Sequence, residues 1–170
     1  TRSALEKLVA FSGENTHVLN SEIQKLVNYC GEKMIEEQDV DDLVSSKISI
    51  GIFDTIDALG NNNKKEAARL LHEHLKQGEN PLYIFSMFVY QFRNLLKVAD
   101  LKERGISNDY EIAKTSGLHP FVVKKSLGQL RNLTFSKLKN IYQNLSELDT
   151  KIKTGKIDIR LALDKFLIEL

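Results

Sequence analysis

The chain has 170 residues, of which 42% are hydrophobic and 28% charged, and its formal net charge at pH 7 is +1. This composition excludes a chain that is disordered throughout, and a single cysteine excludes an internal disulfide framework. No apolar run reaches the roughly 20 residues that a transmembrane helix needs. Residues 1–60 contain 5 basic and 11 acidic residues, whereas residues 121–170 contain 10 and 5. The basic C-terminal part is compatible with a nucleic acid or an acidic protein as partner, and equally with an ordinary solvated surface.

Apolar residues recur at spacings of three and four in nearly every segment, which predicts an all-α fold. In the first 46 residues two such stripes predict two helices. The first stripe consists of Ala4, Leu5, Leu8 and Val9, and the second consists of Leu19, Ile23, Leu26, Val27 and Cys30. Gly31 is expected to end the second helix. An acidic loop follows, and then a short helix is expected near Val40–Val44.

The middle of the chain contains clear start signals for helices. Ser49 is a candidate N-cap, and Gly60 with the three asparagines after it predicts a turn. At Asn80-Pro81 an N-cap residue is followed by proline, which is favoured at the first helical position. Nearly every residue from Leu82 to Phe92 is apolar, so a helix there must be enclosed by others. We therefore predict that Pro81–Leu101 is the central helix of a bundle.

Four further segments complete the predicted bundle. A short helix over Tyr110–Ser116 is expected to stop at Gly117, and His119-Pro120 repeats the arrangement of a cap followed by proline. The next apolar seam has residues alternately three and four apart: Leu138, Ile141, Leu145, Leu148 and Ile152. The last stripe consists of Ile159, Ala162, Leu163, Phe166, Leu167 and Leu170. Leu161 and Ile168 lie off this stripe, so the last helix is either deeply buried or in contact with another chain.

The sequence contains no group of residues with the spacing of a phosphate-binding, metal-binding or catalytic site. Neither GxxxxGK[ST] nor GxGxxG occurs, so a phosphate-binding loop is not expected. His72 and His74 are two residues apart and point to different sides of a helix, which disfavours a metal site. No Ser/His/Asp arrangement stands out. We expect no catalytic residues, no cofactor and no metal.

One stretch has the spacing of a helix-turn-helix. In residues 112–131, Ala113 lies where two helices would cross, Gly117 turns the chain and Val123 returns to the core. Lys124 and Lys125 would then face phosphates. Pro120 and Phe121 occupy positions that usually carry polar, base-reaching side chains. Two packed helices inside a bundle produce the same spacing, so a DNA-binding domain remains an alternative at this point.

The order of several runs resembles the delta subunit of bacterial DNA polymerase III, a clamp-loader component. The runs are LNSEIQKLVNY (Leu19–Tyr29), DVDDLV (Asp39–Val44), IFDTIDAL (Ile52–Leu59), ARLLHEHLKQGENPLYIFSMFVYQFRNLLK (Ala68–Lys97), LHPFVVKKSLGQLRN (Leu118–Asn132) and LDTKIKTGKIDIRLALDKFLIEL (Leu148–Leu170). The resemblance implies a small helical lid domain over residues 1–46, like that of AAA+ proteins. A larger helical collar domain would then cover residues 47–170. The family's N-terminal AAA+-like module has no counterpart in this chain.

The resemblance also implies a role in DNA replication and a cytoplasmic location. The fragment would be non-catalytic and would assemble, through its collar, with the ATPase subunits and the delta-prime-type subunit of the clamp loader. Contact with the sliding clamp would require the N-terminal module, and contact with DNA would be indirect or nonspecific. A membrane is not among the implied partners, and the parent complex is the polymerase holoenzyme.

Two sets of residues are candidates for contacts in such an assembly. The candidate subunit interface consists of Leu161, Ile168, Leu138, Leu145 and Ile152. The candidate contacts to phosphates or to an acidic partner are Lys124, Lys125, Lys151, Lys153 and Lys156.

Overall fold

The computed structural model describes residues 1–12, 16–44 and 47–169, and within 47–50 it describes the backbone alone. These residues form ten α-helices and no strand, as the periodicity predicts. The helices are α1 (Arg2–Ser12), α2 (Thr16–Cys30), α3 (Glu37–Leu43), α4 (Lys47–Gly60), α5 (Lys64–Lys76), α6 (Pro81–Glu103), α7 (Asp109–Ser116), α8 (Pro120–Gln129), α9 (Phe135–Lys153) and α10 (Ile159–Glu169). Leu170 and the serines at 45 and 46 lie outside the described residues.

Local capping chemistry sets most helix ends. The Asn80 side chain accepts a hydrogen bond from the Leu82 amide at 2.9 Å, so α6 begins at Pro81 as predicted. Gly117 adopts a φ of 70°, a left-handed conformation that glycine adopts without strain, and it ends α7. Helix α6 extends to Glu103, two residues beyond the predicted end.

Two predicted helix starts were wrong. The Asp39 carboxylate accepts a hydrogen bond from the Glu36 amide at 2.8 Å, so α3 begins at Glu37 rather than near Val40. Helix α4 begins at Lys47, which places the predicted cap Ser49 inside its first turn. In both cases the residues before the apolar stripe are already helical, and the stripe alone does not reveal them.

Helix α6 is the centre of the larger of two hydrophobic cores. Five helices, α4, α5, α6, α9 and α10, contribute to this core. The ring centroid of Phe166 on α10 lies 5.4 Å from that of Phe88 and 5.8 Å from that of Phe92, both on α6. Contacts of α6 with α4, α7, α8, α9 and α10 confirm its predicted central place.

The smaller core joins the first three helices to the far end of α6. Its buried residues include Leu8 on α1 and Val40 on α3, together with Val98 on α6, Ile112 on α7 and Val122 on α8. The predicted division into residues 1–46 and 47–170 stays a prediction. In the structure, helices on both sides of that division share one core.

A charged cluster reinforces the contact between α1, α3 and α8. The Lys7 ammonium lies 3.0 Å from Glu37 Oε1 and 2.6 Å from Asp41 Oδ2. Partial burial acts to lower the pKa of Lys7, but the hydrogen bonds to Asp41 and Glu37 raise it overall. His119 Nε2 lies 3.6 Å from the same Glu37 oxygen, and His119 Nδ1 accepts the N-cap hydrogen bond from Phe121.

Because His119 is buried, we expect the protein to lose stability in mild acid. Burial lowers the pKa of His119 below its ordinary value of 6.5. The unfolded chain therefore binds a proton near that pH which the folded chain does not, so the free energy of unfolding decreases as the pH falls below about 6.5. We expect the variant His119→Asn, which keeps a capping oxygen, to lose less stability than the wild type between about pH 7.5 and 5.5.

Urea unfolding at each pH measures this difference. The matched control is His72→Asn, because the His72 side chain is half exposed and lies 2.9 Å from Asp164 on α10. This variant should retain the acid-dependent loss of the wild type. An equal loss in His119→Asn would show that another group titrates in this pH range.

Candidate interaction surfaces

Helix α10 has one buried side and one exposed side. Ala162, Leu163, Phe166 and Leu167 are buried in the larger core, and this set matches the predicted stripe. On the opposite side the side chains of Leu161 and Ile168 are 60% and 71% exposed. Two large aliphatic side chains that the fold leaves in water are available for contact with another protein.

The apolar seam of α9 is covered by other helices of the same chain. The side chains of Leu138 and Leu145 are 0% exposed and belong to the larger core, whereas Ile152 is half-buried at its edge. Helices α6 and α10 both pack on α9 and cover this side. The expectation that Leu138 and Leu145 lie on an intermolecular surface is therefore corrected, because both side chains are already covered by α6 and α10.

A groove between α6 and α9 was not found from the sequence. It encloses a cavity of about 510 Å³, with walls that include Phe85 and Tyr142. The exposed side chain of Leu82 lies on its rim, and an ion pair of 2.6 Å between Lys153 and Asp149 lies at the other end. The signal available in the sequence was the nearly continuous apolar run at the start of α6, of which Leu82 remains exposed.

The structure separates the five candidate lysines into two groups. Lys124 and Lys125 lie on α8 and line a cavity of about 660 Å³ together with Arg131. Lys151, Lys153 and Lys156 lie at or beyond the C-terminal end of α9, which begins next to that cavity and is about 27 Å long. The five lysines therefore do not form a single basic patch.

We call the first of these places the basic cavity. Its walls are formed by residues of α4, of α8 and of the turns that follow them. The Nδ2 atom of Asn132 donates a hydrogen bond of 2.7 Å to Oδ1 of Asn61, which joins the two turns. The complete set of lining residues is Asp57, Asn61, Phe121, Lys124, Lys125, Gly128, Gln129, Arg131 and Asn132.

Helices α7 and α8 form the predicted helix pair, but most of α8 is used for packing. Val122, Val123 and Ser126 are buried, and α8 contacts α4, α6 and α7. Its exposed residues are Pro120, Lys124 and Gly128. Together with the half-exposed Lys125, this face offers two lysines to a base edge, which does not favour sequence-specific binding of duplex DNA.

Among the described residues, no group of three or more His, Cys, Asp or Glu side chains could hold a metal ion. No described helix is both long enough and apolar enough to cross a membrane. Cys30, the last residue of the second predicted stripe, is only partly buried at the end of α2.

Comparison with known proteins places the chain in a class of replication proteins. The sequence model of the family described as "DNA polymerase III delta subunit, C-terminal domain" matches residues 49–170. The DNA polymerase III subunit delta of Bacillus subtilis is 33% identical over 170 residues, which cover 98% of this chain and 48% of that protein. The probable subunit delta of Aquifex aeolicus is 26% identical over 166 residues, covering 96% and 47%.

A solved structure also indicates the delta-subunit family. The chain described as "Bacillus subtilis DNA clamp loader delta protein (YqeN)" matches with a TM-score of 0.69 and 32% identity, over 99% of this chain and 50% of that one. The present chain therefore belongs to the family of DNA polymerase III delta subunits. It spans about half the length of the relatives that it matches.

Proposed function

We propose that this chain acts in DNA replication as a non-catalytic part of a clamp loader, which loads the sliding clamp onto DNA. Membership of the delta-subunit family supports this role, and the matched solved structure is described as a clamp-loader protein. The chain would contribute by assembly with the ATPase subunits and a delta-prime-type subunit. Contact with the sliding clamp would require a module beyond this chain. The polymerase holoenzyme would be the parent complex, in the cytoplasm.

The proposed division of labour follows the two predicted domains. Residues 1–46 would act as a lid and residues 47–170 as a collar that joins the collars of other subunits. The shared core of α1, α3, α6, α7 and α8 supports a mechanical role for the lid. A movement imposed on the lid would be transmitted to the collar as a rigid-body displacement, because a packed core resists deformation.

The observation that carries the proposed interface is the exposed side of α10. Leu161 and Ile168 are in water while the other side of the same helix is in the core. Leu82, on the rim of the groove between α6 and α9, and the half-buried Ile152 would extend the contact. Obligate interfaces bury roughly 2,000 Å² or more, and their centres are apolar. Two exposed aliphatic side chains on one side of α10 meet the second requirement.

The double variant Leu161→Gln/Ile168→Gln tests this interface. We expect a stable complex of the wild-type chain with the clamp-loader ATPase subunits in size-exclusion chromatography with light scattering. The double variant should weaken that complex by at least tenfold, since central interface residues each contribute about 1–2 kcal/mol or more. Circular dichroism should show unchanged helicity, because neither side chain belongs to a core.

The matched control removes two exposed apolar side chains elsewhere. Met34 and Tyr110 are 71% and 76% exposed, and the variant Met34→Gln/Tyr110→Gln should assemble as the wild type does. Equal weakening by both double variants would contradict a specific interface on α10. Failure of the wild-type chain to join the ATPase subunits would contradict the proposed assembly.

A further inference from the structure

We propose that the smaller core opens as a unit while the larger core stays folded, because a layer of buried polar side chains separates the two. The opening unit comprises α1, α2, α3, α7 and α8, whose buried residues form the smaller core with the end of α6. Proteins commonly open in such cooperative units below the free energy of global unfolding. This opening requires no partner protein, and it would let the proposed lid carry α7 and α8 with it.

Helix α6 passes through both cores, and polar residues lie between them. Met87, Gln91, Asn94 and Val98 follow each other at spacings of four and three, so they lie along one side of the helix. Met87 belongs to the larger core and Val98 to the smaller core. Gln91 and Asn94 are each 1% exposed. On this side of α6 the two cores are therefore separated by about one turn of buried amide side chains.

The side chains of this polar layer lack hydrogen-bond partners when the layer is closed. Neither Nδ2 nor Oδ1 of the buried Asn94 is hydrogen-bonded to a described residue, and the same holds for Nε2 of Gln91. On α8, which packs against α6, Oγ of Ser126 and Oε1 of Gln129 are also buried without a partner among the described residues. An unpaired buried polar group costs free energy, which is recovered when water reaches it. Opening of this layer therefore costs less than opening of an apolar layer of equal area.

The contacts that join the two sides of the layer include hydrogen bonds that water can replace. The Tyr83 hydroxyl on α6 donates to the carbonyl of Ser12 at the end of α1, at 3.1 Å. Nε2 of Gln129 on α8 donates to the carbonyl of Phe53 on α4, also at 3.1 Å. The rings of Phe121 and Phe53 meet edge to face with their centroids 6.0 Å apart, and they add an apolar contact between α8 and α4.

The basic cavity lies on the outer side of the same boundary. It has a volume of about 660 Å³ and lies between α4, which contributes to the larger core, and α8, which contributes to the smaller core. Atoms that line a cavity lose the dispersion contacts that close packing would give them. The cavity and the polar layer thus both reduce the apolar contact between the two units.

Native-state hydrogen exchange in low concentrations of urea measures the opening of each core. We expect the amides of Leu8, Leu26 and Ser126, in the opening unit, to be at least about tenfold less protected than those of Phe88 and Leu145 in the larger core. Their exchange should also depend less steeply on urea, because partial opening exposes less surface than global unfolding. Equal protection and equal urea dependence in both sets of amides would overturn the proposal.

Two matched substitutions show which opening each amide reports. Ile141 on α9 lies in the larger core and is 4% exposed, and Ile112 on α7 lies in the smaller core and is 0% exposed. Ile141→Val should lower the protection of the larger-core amides about fivefold and leave the other set unchanged, because the larger core stays folded when the smaller one opens. Ile112→Val should lower both sets about fivefold. Equal losses in both sets with Ile141→Val would show one cooperative unit and contradict the proposal.

The variant Asn94→Leu tests whether the polar layer determines the free energy of opening. It replaces an unpaired buried amide by an apolar group of similar size, so the protection of the smaller-core amides should rise about tenfold. The control Asn140→Leu, at an exposed position on α9, should leave that protection unchanged. Ser126→Ala removes one buried hydroxyl oxygen without adding volume, and it should raise the same protection even if Asn94→Leu fails to fold. Lower protection in Ser126→Ala would show that the hydroxyl stabilises the closed layer, which would overturn its proposed role.

The behaviour of α8 separates this unit from a lid that opens alone. If α1, α2 and α3 lost protection while Ser126 on α8 remained as protected as the larger core, the opening unit would be the lid, and the proposal would be wrong. All these measurements use the chain without other subunits. A negative result would therefore leave the proposed function standing, because that function is tested separately by assembly with the ATPase subunits.

Discussion

Replacement of Phe166 by alanine is expected to lower the free energy of unfolding by about 3–5 kcal/mol. The Phe166 side chain is 0% exposed and packs against Phe88 and Phe92 on α6. Truncation removes a large apolar group and leaves a cavity, because close-packed neighbours relax only partly. Urea unfolding followed by circular dichroism measures the loss.

The matched control for Phe166 lies one half-turn away on the same helix. Ile168→Ala removes an aliphatic side chain that is 71% exposed, and its free energy of unfolding should stay within about 0.5 kcal/mol of the wild type. The two substitutions thus separate the core side of α10 from its proposed interface side. A loss below about 1 kcal/mol in Phe166→Ala would contradict the placement of α10 in the larger core.

Two glycines inside helices are expected to respond to alanine with opposite signs. At Gly51 on α4 an added Cβ would lie 1.9 Å from Nε2 of His74 on α5, and both residues are buried. Because His74 is enclosed, the overlap must be relieved by displacement of packed atoms, and Gly51→Ala should lower the free energy of unfolding by about 1–3 kcal/mol. At Gly128 on α8 an added Cβ meets nothing within 4 Å. Gly128→Ala should therefore raise stability by about 0.5–1 kcal/mol, the helix preference of alanine.

A double-mutant cycle checks the cause at Gly51. The variant His74→Ala removes the ring that the new methyl group would meet, so Gly51→Ala should cost little in that background. Thermal or urea unfolding of the four chains gives the coupling free energy. A cost of Gly51→Ala that is independent of His74 would show that the α4–α5 packing differs from the one described.

The smaller core has a functional consequence for the proposed lid. Its residues come from α1 and α3 as well as from α6, α7 and α8, and the ion pairs of Lys7 with Glu37 and Asp41 lie at its edge. The basic cavity is adjacent, because Phe121 packs against this core and also lines the cavity. A movement of the proposed lid would therefore reach α8 and, through Phe121, the wall of the basic cavity.

Several helix ends were determined by the sequence alone. The Asn80-Pro81 and His119-Pro120 pairs start α6 and α8 at the predicted residues, and Gly117 ends α7. These signals work because a cap is a hydrogen bond, or a backbone conformation, within three residues of the helix end. The all-α fold follows from the same short-range periodicity. The family resemblance also came from the sequence, through the order of runs that are individually weak.

Only the tertiary structure decided which apolar stripes are left for a partner. An apolar stripe with spacings of three and four indicates that one side of a helix is covered. It does not indicate whether the same chain or a partner chain covers that side. Leu138 and Leu145 were therefore expected at an interface and lie in the core, while Leu161 and Ile168 remain in water. The basic cavity depends in the same way on contacts between residues about 70 positions apart, such as Asn61 and Asn132. Such contacts arise from the packing of whole helices, which no local pattern contains.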